Sequence, residues 1–194
     1  MTKKQFEHIL GRHCSPTLLG IKPANLVSFP KAKAPNLMEL LKVYRPQLRD
    51  LGIRMRIVCG CKKHYLLLVY RPELLESYLS QPQVEKYLAS YGYTSGANIE
   101  QYLQAMTLRY AKNQQCPDEI GIFLGYPLED VIGFSHDPGD ACKYVGFWKV
   151  YGDVPSAIEI FARYKECIAF TCEKIKEGFS LAQVIQYKET VLFI

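Results

Sequence analysis

The hydrophobic and polar positions predict an alternation of helices and short strands along the whole chain. Phe6, Ile9 and Leu10, set among Lys3 and Glu7, predict a short helix ending near Gly11. Ser15-Pro16 reads as the cap and first residue of a further short helical turn. Leu26-Val27-Ser28-Phe29 is an apolar strand closed by Pro30. Asn36 then caps a helix whose stripe is Leu37, Leu40, Leu41, Val43 and Tyr44, closed by Gly52. Arg54 to Val58 alternates polar and apolar, and His64 to Tyr70 is apolar. With a Gly-containing turn between them, the pair predicts a β-hairpin.

Three helices follow, begun by Arg71-Pro72, Gln81-Pro82 and Asn98, with apolar faces such as Leu74/Leu75/Leu79 and Tyr102/Leu103/Met106. Ile120 to Leu124 is a short apolar run with one glycine, the pattern of a buried strand. Gly125-Tyr126-Pro127 breaks it and opens a helix with Leu128, Val131 and Ile132. Ser135 to Asp140 reads as a turn, and Lys143 to Tyr151 as a second, aromatic strand. Val154-Pro155 begins the longest helical pattern, ending near Gly178. Ser180 caps a last helix, and Thr190 to Ile194 forms a final strand. Together these elements predict a single α/β (α+β) domain over 1–194, with a mixed sheet of about five strands and helices packed on its faces.

Composition narrows the classes without choosing a function. Apolar residues at 48% and charged residues at 22% are ordinary for a globular protein. The net charge of +5 is spread thinly, with no basic stripe or nucleic-acid module, so no nucleic-acid partner is expected. The first residues lack the apolar core of a signal peptide, and no apolar run nears the roughly 18 residues of a spanning helix. The reading is a cytoplasmic protein without membrane insertion. Its seven cysteines, mostly inside apolar segments, are then expected as free thiols.

Four constellations could carry chemistry. His13-Cys14, read as lying just before a helix and beside Arg12, could present a thiolate nucleophile with His64 or His136 as base. The plainer reading is a small buried hydrophobe. Cys59, Cys61 and His64 are three metal-ligating side chains in six residues, short of the fourth ligand that a structural zinc site needs unless Cys116 or His136 supplies it. Glu119, Glu129 and Asp130 surround the turn at Tyr126, where a strand-to-helix connection could bind a ligand. Lys22 could meet an anion. Trp148, Phe147, Tyr144 and Tyr151 could line a flat cofactor pocket, although at alternate spacing core packing explains them more cheaply. No dinucleotide, P-loop or covalent-haem motif occurs, so no cofactor is named by a motif.

Two stretches carry a resemblance. One is Cys14-Ser15-Pro16-Thr17-Leu18-Leu19-Gly20-Ile21-Lys22-Pro23-Ala24-Asn25-Leu26. The other is Glu119 to Val131 together with Gly146-Phe147-Trp148-Lys149-Val150-Tyr151-Gly152-Asp153. They resemble a family of anaerobic bacterial proteins catalogued as domain of unknown function 3793. In that pattern a histidine often precedes the glutamate matching Glu119. Here Asp118 stands there, which argues against an obligatory metal or proton-transfer role at that position. The resemblance implies no mechanism. It implies a ligand-binding or accessory protein linked to iron or redox metabolism. A thiol-dependent hydrolase or transferase using Cys14, and a protein-interaction scaffold, are the alternatives.

Overall fold

The computed structural model describes residues 1–60, 63–113, 116–137 and 141–191. Their packing falls into two compact units, 1–72 with 164–194 and 73–163. The first holds helix α1 (Lys3–Leu18), strand β1 (Ala24–Pro30), helix α2 (Leu37–Arg49), strands β2 (Arg54–Gly60) and β3 (His64–Tyr70), and helix α9 (Leu181–Val191). The second holds α3 (Pro72–Leu79) beyond its first residue, then α4 (Pro82–Ser90), α5 (Ile99–Asn113), α6 (Ile120–Phe123), α7 (Leu128–His136) and strands β4 (Tyr144–Val145) and β5 (Lys149–Val150). Helix α8 (Val154–Lys176) runs from the second unit into the first without a break.

In the first unit β3 lies between β1 and β2, and both pairings are antiparallel. This central position explains its unbroken apolar run. Leu67 and Val69 face one way and Leu68 and Tyr70 the other, and all four are buried. The expected hairpin of β2 and β3 is present, with a register shift between Ile57 and Cys59. Phe6, Leu10, Cys14 and Leu18, one helical turn apart, form the buried stripe of α1. They share a core with Phe29, Leu67, the Leu37/Leu41/Tyr44/Leu48 face of α2, and Leu181 and Val184 of α9.

α1 does not stop at Gly11 as expected. A Cβ on that residue would lie 2.8 Å from Ile175 Cδ1 and 3.2 Å from Thr171 Cγ2, so the glycine permits α8 to pack closely and does not end the helix. Ser15 and Pro16 are likewise inside α1. The Ser15 hydroxyl donates back to the Gly11 carbonyl, and the proline falls in the last turn, where its missing N–H costs the helix one hydrogen bond. Arg71 closes the helix end, its Nε and Nη2 donating to the carbonyls of Thr17 and Leu18 at 2.8 and 2.6 Å.

The sheet is smaller than the mixed five strands expected. It has three antiparallel strands, and β4 and β5 form a separate two-stranded ribbon. Two expected strands account for the difference. Ile120 to Phe123 of the expected strand is the short helix α6, because a five-residue run from Ile120 to Leu124 carries no period able to tell helix from strand. A Cβ on Gly121 would lie 2.7 Å from Val131 Cγ2, so this glycine fits α6 against α7. Lys143 to Tyr151 is not one strand. It turns at Gly146, whose N–H donates to the Trp148 carbonyl at 3.0 Å. Thr190 and Val191 end α9, and the rest of the expected final strand lies outside the described residues, as do 138–140 of the expected turn.

Several helix starts, at Pro72, Pro82 and Ile99, lie where the sequence placed them. Asn98 and Gln101 form a reciprocal cap, each side-chain oxygen accepting from the other's N–H at 3.0 and 2.9 Å. Asn36, expected to cap α2, spends its side chain on Met1 instead, accepting from its amino group and donating to its carbonyl. No helix among the described residues is long and apolar enough to cross a membrane.

Candidate functional site

In the second unit, α6, α7 and the β4–β5 ribbon enclose a cavity of about 500 Å³. Tyr126, Asp130 and Trp148, three of the ligand-binding residues expected from sequence, line it together, joined by Cys116, Phe134 and Phe147. Volume and wall chemistry both suit a small organic ligand.

Asp130 organises this wall. It sits on the first turn of α7, where a carboxylate is favoured by the helix dipole, and is 3% exposed. Its Oδ2 accepts the Trp148 indole N–H at 2.7 Å. Its Oδ1 accepts the backbone N–H groups of Tyr151 at 2.7 Å and Gly152 at 2.8 Å. One carboxylate thus fixes both the indole and the chain leaving β5. The Tyr126 ring stacks on Trp148, centroids 4.9 Å apart and planes 26° from parallel, while Phe161 meets the indole edge-on at 4.4 Å. The Tyr126 carbonyl accepts from the Tyr78 hydroxyl at 2.5 Å. Burial pushes that phenol up to about 12, with the Asp130 charge adding to it, so Tyr78 stays a neutral donor.

Glu129, also expected at this site, is exposed and turned away from the cavity wall to the start of α8, where its Oε1 accepts the Asp153 N–H at 3.4 Å. Its role there is at the helix terminus. Cys116 lies at the cavity rim. Desolvation, then Glu119 and Asp118, raise its thiol above the ordinary range, so it is a neutral group of the wall.

Behind the cavity-lining segment 117–121, Glu119 is fully buried. Its Oε1 accepts from Arg109 Nε at 2.5 Å and from the Tyr93 hydroxyl at 2.8 Å. Among the described residues its Oε2 has no hydrogen-bond partner. Arg109 also donates to the Tyr91 carbonyl at 2.8 Å and lies over the Tyr91 and Tyr93 rings. Burial and then the Glu119 charge raise the Tyr93 phenol well above its usual value. Sequence reasoning singled out Glu119 but missed Arg109 and Tyr93, which are 10 and 26 residues from it. The only signal was the run of tyrosines at 87, 91, 93 and 102, which matches no fixed motif.

Cys14 and Lys22 belong to the first unit, and there the structure corrects the premise of the nucleophile reading. Cys14 is not at a helix start. It lies within α1 and is fully buried, while the neighbouring His13 is exposed. Desolvation pushes its thiol up to about 12, against a smaller lowering by Lys22. Lys22 is 2% exposed; burial lowers its ammonium to about 8, opposed by Cys14, and its Nζ lies 5.7 Å from the Tyr164 ring centroid. At pH 7.5 iodoacetamide should therefore leave Cys14 unlabelled until urea unfolds the chain. Labelling in the folded protein at the rate of the exposed Cys116 would overturn that burial.

The two groups also give opposite pH dependences. Lys22 releases its proton near 8 in the fold but only near its ordinary 10.5 when unfolded, so stability rises with pH between those values. Cys14 loses its proton near its ordinary 9.0 when unfolded and near 12 in the fold, so it takes stability away from 9 to 12. Urea midpoints should climb from pH 8 to 9, and Lys22→Met should erase that climb. A climb that survives the substitution would assign it to another group.

Of the expected metal ligands, Cys59 and His64 stand half-buried near the facing ends of β2 and β3, and Cys61 lies outside the described residues. Among the described residues no three histidine, cysteine or acidic side chains gather as a metal site.

No curated protein and no solved structure matches the chain. Residues 10–185 match the model of the family described as protein of unknown function (DUF3793), and over that span the chain belongs to this family.

Proposed function

We propose that this chain is a cytoplasmic small-molecule-binding protein. Its ligand is a planar, largely apolar heteroaromatic compound lodged against Tyr126 and Trp148. The observation that carries the reading is the cavity of about 500 Å³ whose indole wall is locked in place by the Asp130 carboxylate. A ring held in one orientation before binding loses little freedom when a flat ligand stacks on it. The expected link to iron or redox metabolism makes a flavin the first ligand class to try, in an accessory role rather than a catalytic one. Cys14 supplies no nucleophile for the thiol-enzyme alternative, given its buried, protonated thiol.

Trp148 is the only tryptophan in the chain, so its emission reports this cavity alone. Titration with flavin mononucleotide should give saturable quenching with a Kd on the order of 1–10 µM, the range of a well-filled small-ligand site. Phe134 and Phe147 are both more than a third exposed at the cavity, so their alanine variants should fold. Each should weaken binding about ten-fold, the scale of one lost aromatic contact. Quenching that rises linearly without saturation, and equally in both variants, would sink the proposal.

A further inference from the structure

The first unit holds a second concavity, a groove of about 600 Å³ formed by α1, the end of β1 with the turn after it, and the C-terminal end of α8. Its floor is apolar, made by Ile9, Phe29, Ala34 and Ile175. Three of these belong to the buried core, so the floor is fixed by core packing. Its rim is cationic. Lys4, Lys33 and Lys176 come from three different elements, and no aspartate or glutamate lines the groove. None of the three lysines makes an ion pair among the described residues. The first turn of α1, which contributes Lys4, carries no acidic residue to offset the positive helix end.

We propose that this groove binds a free long-chain fatty acid, its acyl chain along the floor and its carboxylate among the three lysines. Like charges lining a groove with an apolar floor favour an occupant that is itself an anion with an apolar body. An acidic peptide would need backbone hydrogen-bonding partners along the floor, and the side chains there offer none. An acyl chain needs none and gains with every methylene it buries. The volume falls in the range of small-ligand sites, which suits one chain.

The test is uptake of cis-parinaric acid, a fluorescent fatty acid, by the full chain. Saturable one-to-one uptake reversed by palmitate is expected, with hexadecanol, which lacks the charge, competing about ten-fold more weakly. Combining Lys4→Glu, Lys33→Glu and Lys176→Glu, all at exposed positions, should weaken uptake at least about ten-fold. Ser28 is exposed on β1 within the groove, so Ser28→Trp should fill the space and abolish uptake while the strand tolerates the aromatic. Phe147→Ala, in the other cavity, should leave uptake unchanged. Equal competition by hexadecanol, or unchanged uptake in the triple and Ser28→Trp variants, would overturn the proposal. So would loss of uptake in Phe147→Ala, which would place the acid in the aromatic cavity. Binding to phosphatidylglycerol vesicles without uptake of the free acid would identify a membrane-facing surface instead and equally overturn it.

Discussion

Asp130→Ala should lower the free energy of unfolding by about 3–5 kcal/mol, because one carboxylate serves three donors and all three lose it at once. The Trp148 N–H is buried, and the two backbone N–H groups at Tyr151 and Gly152 are partly so. Asp130→Asn should cost less. Its amide oxygen can still accept from the backbone pair, but its NH₂ would point a donor at the indole N–H. Urea unfolding followed by circular dichroism gives the energies, and Trp148 emission reports whether the indole has come loose. A loss under about 1 kcal/mol in the alanine variant would mean that the carboxylate is dispensable to this wall.

The sequence made Asp130 and Trp148 candidates but not partners. Their link is a side-chain hydrogen bond across 18 residues, and no local period encodes such a bond. Local signals were reliable where one residue's own chemistry decides the outcome. Pro72, Pro82 and Pro155 at helix starts, the Asn98 cap and the alternation of Arg54 to Val58 all led to the observed elements. They failed where a neighbour distant in sequence decides. Gly11 looks like a helix stop until Thr171 and Ile175 occupy the space that its missing side chain leaves. Ile120 to Leu124 looks like a strand until Val131 packs on Gly121. Cys14 looked activated because Ser15-Pro16 imitates a helix start, whereas α1 continues through it. Of the four aromatics that the sequence offered as pocket lining, Trp148 and Phe147 line the cavity and Tyr144 and Tyr151 do not, while Cys116 and Phe134 as co-lining residues came only from the fold.

The second large effect is expected at the buried ion pair. Arg109→Met should cost about 3–5 kcal/mol, since it strands a carboxylate that is 1% exposed with only the Tyr93 hydroxyl to support it. Glu119→Gln should cost about 1–2 kcal/mol. The Arg109 side chain is 34% exposed and can recover water, and the neutral amide still accepts from Tyr93. The two substitutions together should cost less than Arg109→Met alone, a coupling that a double-mutant cycle in urea reads directly. Additive losses would show that the two side chains do not depend on each other. Because Asp118 and Ile120 on either side of Glu119 line the aromatic cavity, weaker flavin binding should accompany the loss in Arg109→Met.

The chain order of the two units bears on how the protein is made. The second unit is one continuous stretch, whereas the first is completed only by residues after 163. The three strands of its sheet and their two flanking helices are all synthesised by Tyr70, yet Ile175, Leu181, Val184 and Ile185 are part of the same core. At ribosomal speeds of roughly 5–20 residues per second, that sheet waits on the order of ten seconds for its last layer. During this interval the apolar face that includes Phe6, Phe29 and Leu41 lacks α9, while every residue of the second unit is being made. The nascent chain is therefore most open to proteolysis and to chaperones at its beginning, although its end supplies the remedy.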